Sequence, residues 1–175
     1  IIILQNPECL HIGDVISHAA KNVTDDNYIS YSCYSFDEFI TERLPDKINR
    51  DNFDSLLSII PNLPQVQPAA GNCGWYNHPE VKPTAYHFTS AITKKNLDSL
   101  GGFDESFANG IGFDDDEFLA RIMAMGLEIM IPTAPPMAIH QWHYVAGNFN
   151  EAAGEDMSLF YKNRDLYYQL LERLK

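Results

Sequence analysis

The chain is short of basic residues and has no long apolar run. Its 175 residues include 12 lysines and arginines against 24 aspartates and glutamates, a formal net charge of −12. Nonspecific nucleic-acid binding needs many cationic side chains to displace counterions from phosphates, so this charge argues against a nucleic-acid partner. An anionic diphosphate ligand would also be repelled, and we expect that it would need a metal ion.

Cysteine is scarce as well. Cys9, Cys33 and Cys73 are odd in number and widely spaced, without the C-x-x-C pairs typical of zinc or redox sites, which predicts reduced thiols. No apolar stretch approaches the roughly 20 residues that span a bilayer, and the chain does not open with a signal-peptide pattern. We therefore expect a cytoplasmic protein without a transmembrane segment.

The sequence also lacks an initiator methionine. It begins with Ile1-Ile2-Ile3-Leu4, an apolar, β-branched run that is typical of the buried middle of a parallel sheet. We interpret this run as an interior strand and the chain as a piece of a larger domain.

The composition is that of a folded protein, with 45% hydrophobic and 12% aromatic residues, and the length suits one domain over 1–175. Apolar periodicity and turn residues predict alternating strands and helices, an α/β fold. Strands are predicted at 1–4, 28–34, 86–91, 127–131 and 137–143, and helices at 12–22, 35–43, 53–59, 94–100, from 114 to a stop at Gly126, and 158–174.

The stretch GGFDESFANGIGFDDDEFLARI at 101–122 joins a glycine-rich loop to a helix that begins with acidic residues. The spacing D-x-x-E predicts Asp114 as N-cap and Glu117 as the second half of a capping box. Asp116 and Glu117 are expected to complement the helix dipole from solvent.

Asp115 differs from these neighbours because helical spacing puts it on the apolar face with Phe118, Leu119 and Ile122. A carboxylate that faces inward at a helix N-terminus stays ionised, yet it is shielded enough to accept a proton from a substrate. We interpret Asp115 as a candidate general base.

The segment 45–83 is rich in proline and glycine and predicts a long loop with one short helix. Within it, GNCGWYNHPE carries Trp75 and Tyr76, two aromatics that could stack on a sugar or base or simply pack in the interior. We expect the loop from Gly71 to Glu80 to close over substrate, with Trp75 partly accessible near Asp115.

Three short motifs contain candidate chemical groups: Asn6-Pro7-Glu8 after the first strand, Asp114-Asp115-Asp116, and His140-Gln141-Trp142-His143 in a late strand. Each motif alone is common in proteins without a site. Strand ends of α/β sheets converge on the ligand crevice, so we expect Glu8 and His140 to come within reach of one ion.

In this order the motifs resemble the catalytic part of GT-A-type glycosyltransferases of the family 2 kind. Gly101 to Arg121 is the most specific part of the resemblance. It implies a GT-A-like, Rossmann-related mixed sheet flanked by helices and without its N-terminal nucleotide-binding strands, with Asp115 as the base and Asp114 near the acceptor.

The resemblance also implies a site for Mn²⁺ or Mg²⁺. Glu8 stands where the family has the second carboxylate of an Asp-x-Asp motif, while Asn6 replaces the first aspartate and would contact metal or ribose more weakly. His140 stands where many members complete the cation site, and His143 is a less favoured substitute.

These features predict a metal-dependent, inverting hexosyltransferase that moves a sugar from a nucleotide-sugar donor to a carbohydrate or other hydroxyl acceptor. One carboxylate base suits a single inverting displacement. Two alternatives remain open: a metallohydrolase that uses the same side chains around an activated water, and a noncatalytic carbohydrate-binding module.

Overall fold

A computed structural model of the chain describes residues 1–44, 50–68, 71–144 and 156–174. The described part is a mixed α/β structure. Its strands are β1 (Ile2–Gln5), β2 (Cys9–Ile12), β3 (Asn27–Ser30), β4 (Cys33–Ser35), β5 (Gly74–Asn77), β6 (Thr89–Ile92), β7 (Glu128–Met130) and β8 (Met137–His140). Its α-helices are α1 (Val15–Asn22), α2 (Glu38–Thr41), α3 (Arg50–Ile59), α4 (Lys94–Leu100), α5 (Asp114–Ala124) and α6 (Ser158–Arg173), with short 3₁₀ helices at Ile60–Asn62 and Glu105–Asn109.

The strands form two mixed four-stranded sheets, in the orders β1-β6-β3-β7 and β2-β8-β4-β5. One extended segment serves both sheets, because β3 leads through Tyr31 and Ser32 directly into β4. The amide of Tyr31 donates to the Thr89 carbonyl at 2.9 Å, and the Ser32 carbonyl accepts from Ala138 at 2.7 Å. The α/β class and the mixed pairing are confirmed, but the strand predicted at 28–34 changes sheets halfway, so the expected single sheet is divided.

Strand β1 exists as predicted, but its predicted interior position is wrong in the described part of the chain. There it pairs with β6 alone, in an antiparallel register with Ile2 opposite Ile92, and lies at a sheet edge. Helices explain its apolar residues: Ile3 packs in the cluster of α1, whereas Ile2 and Leu4 pack in the cluster of α4 and α5. Both faces of β1 are therefore apolar because helices cover both faces of its sheet.

Several helix boundaries differ from the predicted ones because an unpredicted strand or cap intervenes. Helix α1 begins at Val15 after the cap Asp14, since residues 9–12 form β2. Ser35, where the helix 35–43 was predicted to begin, belongs to β4, and Asp37 caps α2 by accepting from the Ile40 amide at 2.8 Å. Helix α4 has its predicted bounds.

The proline-rich segment 45–83 contains strand β5, which pairs with β4; residues 45–49 and 69–70 lie outside the described residues. Trp75 is only 4% exposed and packs edge-on against Tyr34, with ring centroids 4.9 Å apart. Its indole nitrogen donates to Gln65 Oε1 at 3.0 Å. The prediction of an accessible Trp75 on a closing loop is wrong, because the ring completes an apolar cluster under β4 and β8.

Candidate metal centre and acidic helix start

Glu8, His140 and His143 form a cluster whose ligand atoms all lie within 4.8 Å of one another. Glu8 Oε1 is 3.4 Å from His140 Nε2 and 3.9 Å from His143 Nε2. The predicted approach of Glu8 to His140 is confirmed, and His143 joins them. One carboxylate and two imidazoles are a donor set that can hold a divalent metal ion.

Strand pairing brings these distant residues together. Cys9 in β2 lies opposite His140 in β8, so Glu8 comes next to His140. Beyond the strand end, the Glu8 carbonyl accepts from the Gln141 amide at 3.1 Å and from Gln141 Nε2 at 3.2 Å. Hydrogen bonds therefore hold the backbone on each side of Glu8 and His140.

The surroundings of His140 favour its neutral form, which is the form that binds a metal. Burial lowers the pKa of His140 below its ordinary value, although the adjacent Glu8 carboxylate opposes this effect. A neutral imidazole has the free nitrogen lone pair that a metal needs. Asn6 Nδ2 donates to Glu8 Oε1 at 3.2 Å, so the predicted substrate-binding residue Asn6 orients the carboxylate in this structure.

The cluster opens into a cavity of about 320 Å³ with aromatic walls. Tyr76 stands edge-on to His140, with ring centroids 4.9 Å apart, and stacks on Phe88 at 5.3 Å. Trp142 also lines the cavity. Trp142, and not the predicted Trp75, lines this cavity, and its position between the two histidines in the sequence is a signal that could have identified it.

Helix α5 begins at residue 114 as predicted, but it is not capped as predicted. Phe113 occupies the N-cap with φ of 65° and no side chain caps the helix, so Asp114 is the first helical residue and is exposed. Glu117, expected in solvent, is 1% exposed and its Oε2 accepts from Arg121 Nη2 at 2.8 Å. The predicted capping box is therefore wrong, because the Glu117 carboxylate is held by an ion pair with Arg121, one turn further along the helix.

The other two aspartates each meet a side chain from the segment before β6. Asp115 Oδ1 is 2.9 Å from His87 Nδ1, and Asp116 Oδ1 accepts from the Tyr86 hydroxyl at 2.6 Å. Burial and the bond to Asp116 both raise the pKa of Tyr86. Asp116 thus anchors α5 to this segment, in contrast to the solvent role expected of it.

The cluster of Glu8, His140 and His143 and the acidic helix start are neighbours of one short segment. Phe88 lines the cavity beside this cluster, while His87 lines a second cavity of about 510 Å³ together with Asp114. In the described part of the chain, Asp115 is not among the residues that line the first cavity. The predicted residues thus lie in three places. Glu8, Tyr76 and His140 line the first cavity, with Asn6 bonded to Glu8. Asp114 lines the second cavity, Asp115 lies beside His87, and Trp75 lies in the core.

Residues 83–144 match a family model described as the N-terminal domain of galactosyltransferase, a GT-A glycosyltransferase domain, over about a third of the chain. The matched range contains the three aspartates of α5 together with His140 and His143, and leaves Glu8 outside it. The expected resemblance to glycosyltransferases is supported at this level, although the match is not to family 2 specifically. No curated protein matches the chain.

Among the described residues, no helix combines the length and the apolar character needed to cross a membrane. All three cysteines are unpaired and buried.

Proposed function

We propose that the protein transfers a sugar from a nucleotide-sugar donor to a hydroxyl acceptor with the help of a divalent cation. The single observation that carries the proposal is the overlap of the galactosyltransferase match with both groups of candidate residues. That match extends over the acidic start of α5 and over the histidines that meet Glu8. A sequence match and an independent spatial cluster therefore support the same chemistry.

Glu8, His140 and His143 would hold the cation. Of the two cations expected, Mn²⁺ suits two imidazole ligands better than Mg²⁺, which prefers oxygen ligands in octahedral geometry. A bound cation would offset the charge of the leaving diphosphate, which a protein of net charge −12 would otherwise repel. Tyr76 would border the bound donor.

Asp115 would supply the carboxylate that takes the proton of the acceptor hydroxyl, and exposed Asp114 would contact the acceptor. One base and one displacement at the sugar carbon invert its configuration. The supporting observation is that Asp114 and His87, the neighbour of Asp115, line one cavity of about 510 Å³. The predicted cytoplasmic location remains a separate proposal.

Metal binding is the first test. Mn²⁺ at about 100 times its dissociation constant should stabilise the protein by roughly 2.7 kcal/mol, seen as a rise in Tm. Glu8→Gln should abolish the rise, whereas Glu80→Gln, a matched change at an exposed glutamate, should preserve it. An equal response of both variants would contradict Glu8 as a ligand.

Turnover separates the proposed activity from its alternatives. With Mn²⁺ and a panel of nucleotide sugars, a transferase should consume the donor much faster when a hydroxyl acceptor is present. Equal consumption in water alone would indicate the metallohydrolase. Donor or sugar binding without any turnover would indicate a noncatalytic carbohydrate-binding module.

A further inference from the structure

His87, in the segment before β6, lies next to Asp115. Its Nδ1 lies 2.9 Å from Asp115 Oδ1, and both atoms are shielded from solvent. Neither atom has a hydrogen-bond partner in the described part of the chain, and their mutual alignment falls short of a hydrogen bond. The two atoms thus form a close pair in which each lacks any alternative partner.

The imidazole is held in place by two phenylalanine rings. Its centroid is 4.8 Å from that of Phe103 and 5.7 Å from that of Phe118, and those two rings stack on each other at 4.5 Å. The His87 side chain is 13% exposed. Aromatic packing therefore determines which ring edge faces Asp115.

The Asp115 carboxylate presents its two oxygens to different surroundings. Oδ1 is shielded beside His87, yet the side chain as a whole is 26% exposed. The accessible part of the carboxylate is consequently on the Oδ2 side. The two neighbouring aspartates lie in different surroundings from Asp115, because Asp114 is exposed and Asp116 accepts a hydrogen bond from Tyr86.

We infer that His87 is a positioning residue for Asp115, an inference that rests on the proposed function. A small rotation lets Nδ1–H donate to Oδ1, and such bonds commonly tighten only in the substrate complex. Oδ2 then remains free to take the acceptor proton. As the acceptor O–H bond breaks, the acceptor oxygen bonds to the sugar carbon, whose bond to the diphosphate oxygen breaks.

Two substitutions separate hydrogen bonding from packing. In His87→Asn, the amide nitrogen takes approximately the place of Nδ1 and keeps the donor but loses the ring. In His87→Phe, the ring contacts to Phe103 and Phe118 remain and the donor is lost. The two variants therefore remove the two possible contributions one at a time.

We expect His87→Phe to lower kcat at least about tenfold, because orienting a catalytic group commonly contributes at least this much. His87→Asn should retain kcat within about threefold of wild type. Chemical denaturation should rank the variants in the reverse order, with His87→Phe the more stable. If kcat follows stability, with His87→Phe the more active variant, the inference is overturned.

Imidazole nitrogen shifts in NMR spectra of the chain provide a readout independent of turnover. His87 should carry its proton on Nδ1, and Asp115→Asn should shift this tautomer towards Nε2–H, whereas Asp114→Asn should leave it unchanged. An Nε2–H tautomer in the wild type would overturn the inference. A wild type that keeps the predicted tautomer but is inactive with every nucleotide sugar would instead overturn the proposed function.

Discussion

Substituting Trp75 by alanine should mainly lower stability, whereas substituting Trp142 by alanine should mainly weaken ligand binding. This difference tests the core position of Trp75. Trp75→Ala removes a ring that is 4% exposed and lies edge-on to Tyr34. Removing a buried tryptophan typically costs about 3–5 kcal/mol through lost transfer free energy and the remaining cavity. The hydrogen bond to Gln65 adds little, because Gln65 is exposed and its amide oxygen can bind water instead.

Trp142→Ala is the matched control. Its ring is half-buried on the wall of the cavity beside Glu8 and His140, and the backbone bond from its amide to Thr41 Oγ1 survives the substitution. Because the ring is only half-buried, the free energy of unfolding should fall less than for Trp75→Ala, by roughly 1–2 kcal/mol. This variant should instead weaken binding of any ligand that occupies the cavity.

Denaturant titration followed by far-UV circular dichroism measures both changes, because that signal does not depend on the tryptophan removed. A loss below about 1 kcal/mol for Trp75→Ala would refute its assignment to the core. Equal losses for the two variants would refute the distinction between a structural and a cavity-lining tryptophan.

Three further predictions concern polar groups and backbone. A Cβ at Gly110 would collide with buried Asn163, so Gly110→Ala should lower the denaturation midpoint, and adding Asn163→Ala should restore part of it. Arg121→Leu strands the buried Glu117 carboxylate and should cost about 3–5 kcal/mol by denaturation, whereas the pair Glu117→Leu and Arg121→Met should lose much less. Burial lowers the pKa of His11, so its stabilising contribution is present above the unfolded value near 6.5 and is lost as pH falls. Denaturant titrations between pH 7 and 5 should show that the free energy of unfolding falls as the pH falls. His11→Phe should make this fall less steep by at most about 1.4 kcal/mol per pH unit, the limit for one proton. An unchanged slope would contradict this role of His11.

Sequence patterns predicted elements well where local chemistry determines both ends. Helix α4 begins after Thr93, whose hydroxyl accepts from Asn96, and ends at Gly101 with φ of 80°. Both signals are visible in the sequence. The start of α5 lacked such a signal, because an aromatic residue with positive φ at Phe113 is uncommon and depends on its packing against Phe160 and Tyr167.

The site was predictable to the extent that it depends on the order of the motifs. The order of the motifs placed Glu8 near His140, but the contact itself comes from the antiparallel pairing of β2, an unpredicted strand, with β8. The contribution of His87 could not be predicted, since a lone histidine before a strand has no pattern that names Asp115 as its neighbour. Trp75 was misinterpreted because local composition indicates a loop, whereas tertiary pairing of β5 with β4 buries the ring.

The pairing of β2 with β8 also has a kinetic consequence. Glu8 and Gln141, which are 133 positions apart in the chain, become hydrogen-bonded only after these strands meet. Closing so long a loop is entropically costly and slow compared with forming a helix. An ion that requires Glu8 and both histidines can bind only after these strands pair, so metal uptake during refolding would report completion of the longest-range strand pairing in the described part of the chain.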